Sequence, residues 1–268
     1  MPAVSVIMGI YNTKCREYLE KSLNSILNQT YSDFELIICD DGSTNDCMQW
    51  AKEICKDDGR VIFLKNEKNM GLAYTLNKCL SKTKGEYIAR MDDDDISRLD
   101  RFEKQIKYLT TENVDVVSSA INLFDENGVY KTKKYPEHIS KRDFLFNNPV
   151  VHPAVMCKKK TLLSVGGYRD IKKTVRVEDY DLFMRMFSDG AKIDIIQEPL
   201  LNYRDDRANT KRRKVYKYRI NEARVRAGGF KKLKLLPVGI PYICKPLVMG
   251  LLPVGIITQI KKRGGNEN

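Results

Sequence analysis

Apolar runs of strand length that alternate with amphipathic helical stretches leave a chain few folds to choose from. Five such runs are VSVIMGI (4–10), FELIICD (34–40), VIFLK (61–65), EYIAR (86–90) and VDVVSS (114–119). Between the first four lie REYLEKSLNSILNQ, with Leu19, Leu23, Ile26 and Leu27 on one face, then DCMQWAKEICK, then GLAYTLNKCLSKT with Leu72, Leu76 and Leu80. Strands apolar on both faces and joined through helices predict βαβ units. The expected fold is α/β, a Rossmann-like, mainly parallel sheet flanked by helices.

In open sheets of this kind, ligands collect outside the carboxyl ends of the strands. IYNT follows the first strand, DDGST the second, NEKNMG the third and MDDDD the fourth, so all four polar clusters emerge at one edge. There is no Walker A loop, and neither Gly166-Gly167 nor Gly228-Gly229 belongs to a G-x-G-x-x-G fingerprint. Phosphate bound at this edge is therefore not cradled by a glycine loop.

The pattern changes after residue 119. INLFDENGVYKTKKY predicts a hairpin around Asn127-Gly128, and NNPVVHPAVMCKKKTLLSVGGYRD predicts a strand, a turn and a short helix. EDYDLFMRMFSDG predicts a helix with an acidic first turn, stopped by Gly190. This half is expected to fold over the mouth of the sheet, where an acceptor would lie.

Four consecutive aspartates, Asp92 to Asp95, repel one another unless a cation sits among them. Asp92 and Asp94, two apart at a strand end, can point the same way, with Asp95 entering the next turn. Hard oxygen ligands in that number suit Mg²⁺ or Mn²⁺, completed by substrate phosphates and water. An EF-hand is a poor alternative because its Gly and distal Glu are missing; the plain alternative is an acidic loop capping a helix that begins near Arg98. Asp40 and Asp41 in CDDGS read either as a turn and cap or as acceptors for a nucleobase N–H or ribose hydroxyl, with Tyr11 and Asn12 one strand over.

The series strand–Y-N, strand–D-D-G-S, N-x-G, strand–D-x-D-D and a later E-D opening a helix with Arg185 resembles the family 2 glycosyltransferases, inverting enzymes of the GT-A fold, over roughly residues 3–205. The segment NPVVHPAVMCKKKTLLSVGGYR looks like the acceptor-side segment of members from bacterial surface-polysaccharide assembly. The resemblance implies that Asp40 and Asp41, with Tyr11, Asn12, Asn69 and Gly71, bind the nucleoside of a sugar nucleotide, UDP-linked as first expectation. It implies that Asp92, Asp94 and Asp95 hold the diphosphate through Mn²⁺ or Mg²⁺. Many members carry a small residue where this chain has Asp93, which leaves open which pair of the four binds the metal. Of the acidic pair Glu178 and Asp179, Asp179 is implied to be the catalytic base, with Asp181 as its decoy. His152, Arg185 and Arg204 are placed on the acceptor side and Arg90 beside the donor, each against an ordinary packing or salt-bridge alternative. His138 reads as a surface residue.

The formal net charge of +12 points at first to nucleic acid, but it is concentrated at one end. Residues 207–268 hold 16 Lys/Arg against Glu222 and Glu267, leaving 31 Lys/Arg against 33 Asp/Glu in residues 1–206. The expected organisation is a catalytic domain over 1–208, with a nucleotide-binding half (1–119) and an acceptor-side half (120–208), and a basic, apolar helical extension over 209–268. In LLPVGIPYICKPLVMGLLPVGIITQI, prolines 237, 241, 246 and 253 and Lys245 argue against one uninterrupted helix. Residues 211–263 are expected to lie on the inner face of the cell membrane, near a lipid-linked saccharide acceptor, or to form a helical pair packed on the body. The seven scattered cysteines suit free thiols, and MPAVSVIMGIYN lacks a basic leader, so a cytoplasmic, membrane-peripheral protein is expected. The competing expectations are a sugar-1-phosphate nucleotidyltransferase, whose glycine-rich loop is missing after the first strand, and a nucleic-acid binder, which leaves the acidic mouth unexplained; no nucleic-acid partner is expected.

Overall fold

The computed structural model describes residues 2–205 and 215–251. Its first half runs β1 (Val4–Ile10), α1 (Arg16–Leu27), β2 (Phe34–Asp40), α2 (Cys47–Ile54), β3 (Val61–Lys65), α3 (Leu72–Leu80) and β4 (Tyr87–Arg90). These strands pair in parallel in the spatial order β3-β2-β1-β4. Strand period two divides the core. Val4, Val6, Met8 and Ile10 pack with Leu19, Leu23 and Ile26 on one face, while Ile7 packs with Ile37, Cys39, Leu76 and Cys79 on the other. Each large aliphatic side chain buried this way contributes roughly 1.5–3 kcal/mol.

The second half runs β5 (Ile96–Ser97), α4 (Arg101–Thr111), β6 (Val116–Asp125), β7 (Gly128–Lys133), α5 (Asp143–Phe146), a 3-10 turn (His152–Ala154), β8 (Met156–Lys158), α6 (Lys159–Ser164), α7 (Glu178–Ser188) and β9 (Ile193–Arg204). The sheet continues past β4 as β8-β6-β9-β5, with β7 paired to β6. Here the pairing is mixed: β8 runs antiparallel to both β4 and β6, β5 runs antiparallel to β9, and β9 runs parallel to β6. The hairpin forms around Asn127-Gly128. Gly190, at φ 94°, follows α7 as expected of its stop. The helix expected near Arg98 starts three residues later, because β5 first pairs with β9.

Two helices follow, α8 (Tyr216–Lys232) and α9 (Leu236–Leu251). Much of the basic stretch is packing: Val225, Phe230, Leu233 and Leu235 join the core cluster that contains α7. Buried Arg226 donates to Leu145 O at 2.8 Å, with its guanidinium 5.2 Å from the centre of the Tyr180 ring. Pro241 and Pro246 lie inside α9, so the break expected there is absent between Leu236 and Leu251. Close packing on α8 compensates, with Gly239 against the Phe230 ring and Gly250 against Tyr216. Among the described residues no helix is long and apolar enough to cross a membrane. Residues 252–263 and 211–214 of the expected membrane element lie outside the described residues.

Candidate active site

The aspartate loop leaves β4 and is held from three sides. Ser22 Oγ on α1 donates to Asp92 O at 2.8 Å, Thr13 Oγ1 donates to the Asp93 carboxylate, and the Arg204 N–H at the end of β9 donates to Asp95 Oδ1 at 2.8 Å. Behind the loop, fully buried Arg101 donates to Arg90 O at 2.9 Å and Val155 O at 3.2 Å. Arg204 Nε donates to Asp94 O at 3.1 Å while its guanidinium stacks 3.6 Å from the Tyr18 ring centre and 4.4 Å from that of Phe124.

This scaffold brings ligand oxygens of Asp92, Asp94 and Asp95 within 4.8 Å of one another. Asp93 instead turns to Thr13. Arg90 Nη2 pairs with Asp92, and buried Asp95 Oδ2 has no hydrogen-bond partner. Burial, then Asp92, pushes Asp94 up to about 6, and burial, then Asp94, pushes Asp93 up to about 7. Asp95 is driven well above the usual carboxylate range by burial and then by Asp92 and Asp94. Carboxylates that repel in a low-dielectric site behave this way until a cation joins them. Three hard oxygen donors and one orphaned carboxylate oxygen fit Mg²⁺ or Mn²⁺.

A cavity of about 580 Å³ opens beside this loop, lined by Tyr11, Asp41, Asn69, Gly71 and Asp92 to Asp94 among others. Tyr11 is 49 % exposed, a ring available for stacking. Asp41 accepts from Asn66 Nδ2 and from the Met70 and Gly71 N–H groups, each at 2.8 Å, so it also ties the third loop to the second. Two expected nucleoside contacts lie off the cavity wall. Asp40 is fully buried, accepting from the Ser43 N–H at 2.9 Å. Asn12, at φ 46°, donates its N–H to Ser43 Oγ and accepts from the Thr44 N–H, both at 2.9 Å, joining the first two loops.

A second cavity of about 540 Å³ lies on the other side of the loop and is lined by His152, Asn148, Tyr135 and Asp179 among others. Asp179, in the first turn of α7, accepts from Asn148 Nδ2 at 2.9 Å and from the Tyr180 N–H at 2.8 Å. Burial raises Asp179, and burial followed by Asp179 raises Glu178. His152 Nε2 lies 2.7 Å from Tyr168 Oη. Burial, then Arg90, holds this imidazole well below its usual range and keeps it neutral.

Arg185 is buried, pairs with Asp181 at 2.7 Å, donates to Val165 O and Gly167 O, and lines neither cavity. Spacing of four on α7 turns it onto Asp181 rather than toward an acceptor. Asp181 is held there by Arg185 and Arg169 and is likewise away from both cavities. Arg204 lines the first cavity and not the second. The exposed His138 ring pairs with Asp194 at 3.1 Å.

Arg90, Asp92, Arg176, Glu178 and Tyr203 line both cavities and form their common wall. Arg176 and Tyr203 escape sequence reading, because neither stands in a motif whose chemistry singles it out, and Asn148 opens the segment NPVVHPAVMCKKKTLLSVGGYR without being singled out within it; nearness of Arg176 to Glu178-Asp179 and the place of Asn148 in that segment are the signals available.

A family model described as Glycosyl transferase family 2 matches residues 5–165. Over 264 residues the chain is 36 % identical to EpsE of Bacillus subtilis (strain 168), covering 98 % of this chain and 94 % of EpsE. Over 225 residues it is 33 % identical to an Escherichia coli protein named UDP-Gal:alpha-D-GlcNAc-diphosphoundecaprenol beta-1,3-galactosyltransferase, covering 82 % of this chain and 81 % of that one. Among solved structures, S. aureus TarS 1-349 in complex with UDP-GlcNAc superposes with a TM-score of 0.72 at 15 % identity, covering 94 % of this chain and 76 % of that one. At that identity the likeness is one of fold.

Proposed function

The chain belongs to glycosyl transferase family 2 and has the GT-A fold, and from that premise we propose that it moves one sugar from a UDP-linked donor to a saccharide hydroxyl with inversion. The observation that carries the reading is the common wall: of the clustered carboxylates Asp94 lines one cavity and Asp92 lines both, Asp179 lines the other, and the loop bearing Asp92 stands between them. The half built on β1 to β4 takes the nucleotide, and the half from residue 120 onward takes the acceptor.

Asp92, Asp94 and Asp95 hold Mg²⁺ or Mn²⁺, which supplies Lewis-acid stabilisation of the departing diphosphate. Tyr11 offers a face to the base, while Asp41, Asn69 and Gly71 shape the nucleoside side of the cavity. Asp179 accepts the proton of the attacking hydroxyl, and the bonds from Asn148 Nδ2 and the Tyr180 N–H, one to each carboxylate oxygen, fix its orientation. Its raised titration suits a base working nearer neutrality. Attack opposite the leaving group converts an α-linked donor into a β-linked product. Glu178, which lines both cavities, is the competing base.

A lipid-linked acceptor is supported by the name of the E. coli relative. Val238, Ile240, Val248 and Leu251 are exposed on α9, and Lys231, Lys232 and Lys234 are exposed at the end of α8 and in the link to α9, a composition suited to an anionic membrane surface. Flotation with anionic liposomes should weaken in Val248→Glu/Leu251→Glu; equal flotation of variant and wild type contradicts the membrane contact.

The test of function is release of UDP from UDP-Gal and UDP-GlcNAc with Mn²⁺ and saccharide-diphospholipid acceptors. Asp179→Asn should retain UDP binding and lose turnover by about 10²–10⁴-fold. Wild-type turnover in Asp179→Asn together with its loss in Glu178→Gln would move the base to Glu178.

A further inference from the structure

Arg176 is exposed, yet its backbone sits at φ 73°, where an L side chain is strained and glycine or asparagine is preferred. Such strain persists only where surrounding structure over-determines it, and it collects at functional sites. Here the holding is explicit. Buried Thr174 donates Oγ1 to Arg169 O at 2.7 Å and to Ile171 O at 2.9 Å, and the Val177 N–H donates to Thr174 O at 2.9 Å. From α8, Asn221, only 1 % exposed, donates Nδ2 to Lys172 O at 3.1 Å and Val175 O at 3.2 Å. A whole helix thus grips the segment that presents Arg176.

The protein's own contacts engage the Arg176 guanidinium only weakly, through its charge acting on Glu178 two residues on. Among the described residues its guanidinium makes no hydrogen bond or ion pair, and it lies 6.0 Å from the centre of the Tyr218 ring of α8. Of the other arginines lining the first cavity, Arg169 pairs with Asp181, Arg204 is held between two rings and the Asp94 carbonyl, and buried Arg90 pairs through Nη2 with Asp92 while its Nε and Nη1 lack a partner. Arg176 stands on the common wall of the two cavities, beside the aspartate loop. A planar fork of donors at that place matches phosphate oxygens that a metal leaves free.

We propose that Arg176 binds the donor diphosphate and that Asn221 is the positioning residue that holds it in place, an inference that rests on reading the first cavity as the donor site. The C-terminal helix α8 then belongs to the working site, although it lies beyond the segment matched to the family.

The test measures UDP binding by calorimetry and uridine binding by saturation-transfer NMR, both with Mn²⁺, alongside thermal melts of the ligand-free proteins. Arg176→Gly should weaken UDP by about tenfold or more, leave uridine unchanged, and hold or raise the melting temperature by relieving the backbone. Arg176→Lys should recover part of the UDP affinity. Asn221→Asp should weaken UDP less than Arg176→Gly does and add nothing in the double variant, because both act through one group. Unchanged UDP affinity in Arg176→Gly, or equal losses for UDP and uridine, overturns the proposal while leaving the donor site standing. Wild type that binds neither UDP nor uridine overturns the donor reading and this proposal with it.

Discussion

Replacing Asp94 with asparagine should stabilise the metal-free protein. Burial and the neighbouring Asp92 move this carboxyl from the ordinary 3.8 to about 6. At about 1.36 kcal/mol per pH unit, the folded state loses about 3 kcal/mol when the group ionises, relative to an unfolded chain that ionises near 4. Because the folded pKa is the higher one, the folded state binds the extra proton. Stability therefore falls as pH rises from about 4 to about 6 and stays lower above that. Asparagine keeps the shape and escapes the penalty. At roughly 2–4 °C per kcal/mol for a chain of this size, the melting temperature of Asp94→Asn in EDTA at pH 7.5 should rise by about 6–12 °C. The advantage should vanish near pH 4, and Mn²⁺ should reverse it: at about 1,000 times its Kd a ligand adds about 4.1 kcal/mol to wild type and little to the variant. Differential scanning calorimetry across that pH range, with EDTA and with Mn²⁺, reads all three effects. A lower melting temperature for Asp94→Asn at pH 7.5 in EDTA, or a difference that persists at pH 4, refutes the charge-crowding argument.

Three further outcomes follow from the geometry. Arg185→Leu should cost about 1–3 kcal/mol in urea unfolding, because Val165 O and Gly167 O lose their donor while Asp181 keeps only Arg169, and the folded fraction should keep a wild-type KM for acceptor; a raised acceptor KM with intact stability would restore Arg185 to the acceptor side. Gly42→Ala should lower the melting temperature and weaken UDP, because at φ 72° the added Cβ falls 2.4 Å from the Lys68 backbone and pushes the loop carrying Asn69 and Gly71; unchanged melting and binding would contradict this. The acid limb of kcat should lie above the usual carboxylate range, since Asp179 is raised by burial and must be ionised to act; an acid limb at or below that range would argue against Asp179 as the base.

The first four strands were legible because a strand buried on both faces must be apolar throughout, and β1, β2 and β3 begin and end where their apolar runs do. The shared edge of the four polar clusters followed from parallel pairing, which brought Asp41 and Asp92 to Asp94 to one cavity. What escaped depends on three-dimensional neighbours. Asp40 and Asp41 are adjacent and chemically alike, yet strand pleating buries the first against Ser43 and leaves the second at the cavity. Arg185 looked available until Asp181 and two carbonyls claimed it. Arg176 has no pattern of its own, since a backbone at φ 73° is set by Thr174 and by Asn221 on a distant helix. The prolines of α9 argued locally for a break, whereas close packing on α8 decided the outcome.

The central claim is a sugar-nucleotide donor bound through a metal held by the aspartate loop. Its most direct test is calorimetric titration with UDP-, GDP- and dTDP-sugars, in Mn²⁺ and in EDTA, of wild type and of Asp92→Ala/Asp94→Ala. The account predicts binding of the UDP series in Mn²⁺, lost in EDTA and lost in the double variant. Sugar-nucleotide binding that is indifferent to EDTA and to both substitutions, or no such binding under any condition, would contradict it.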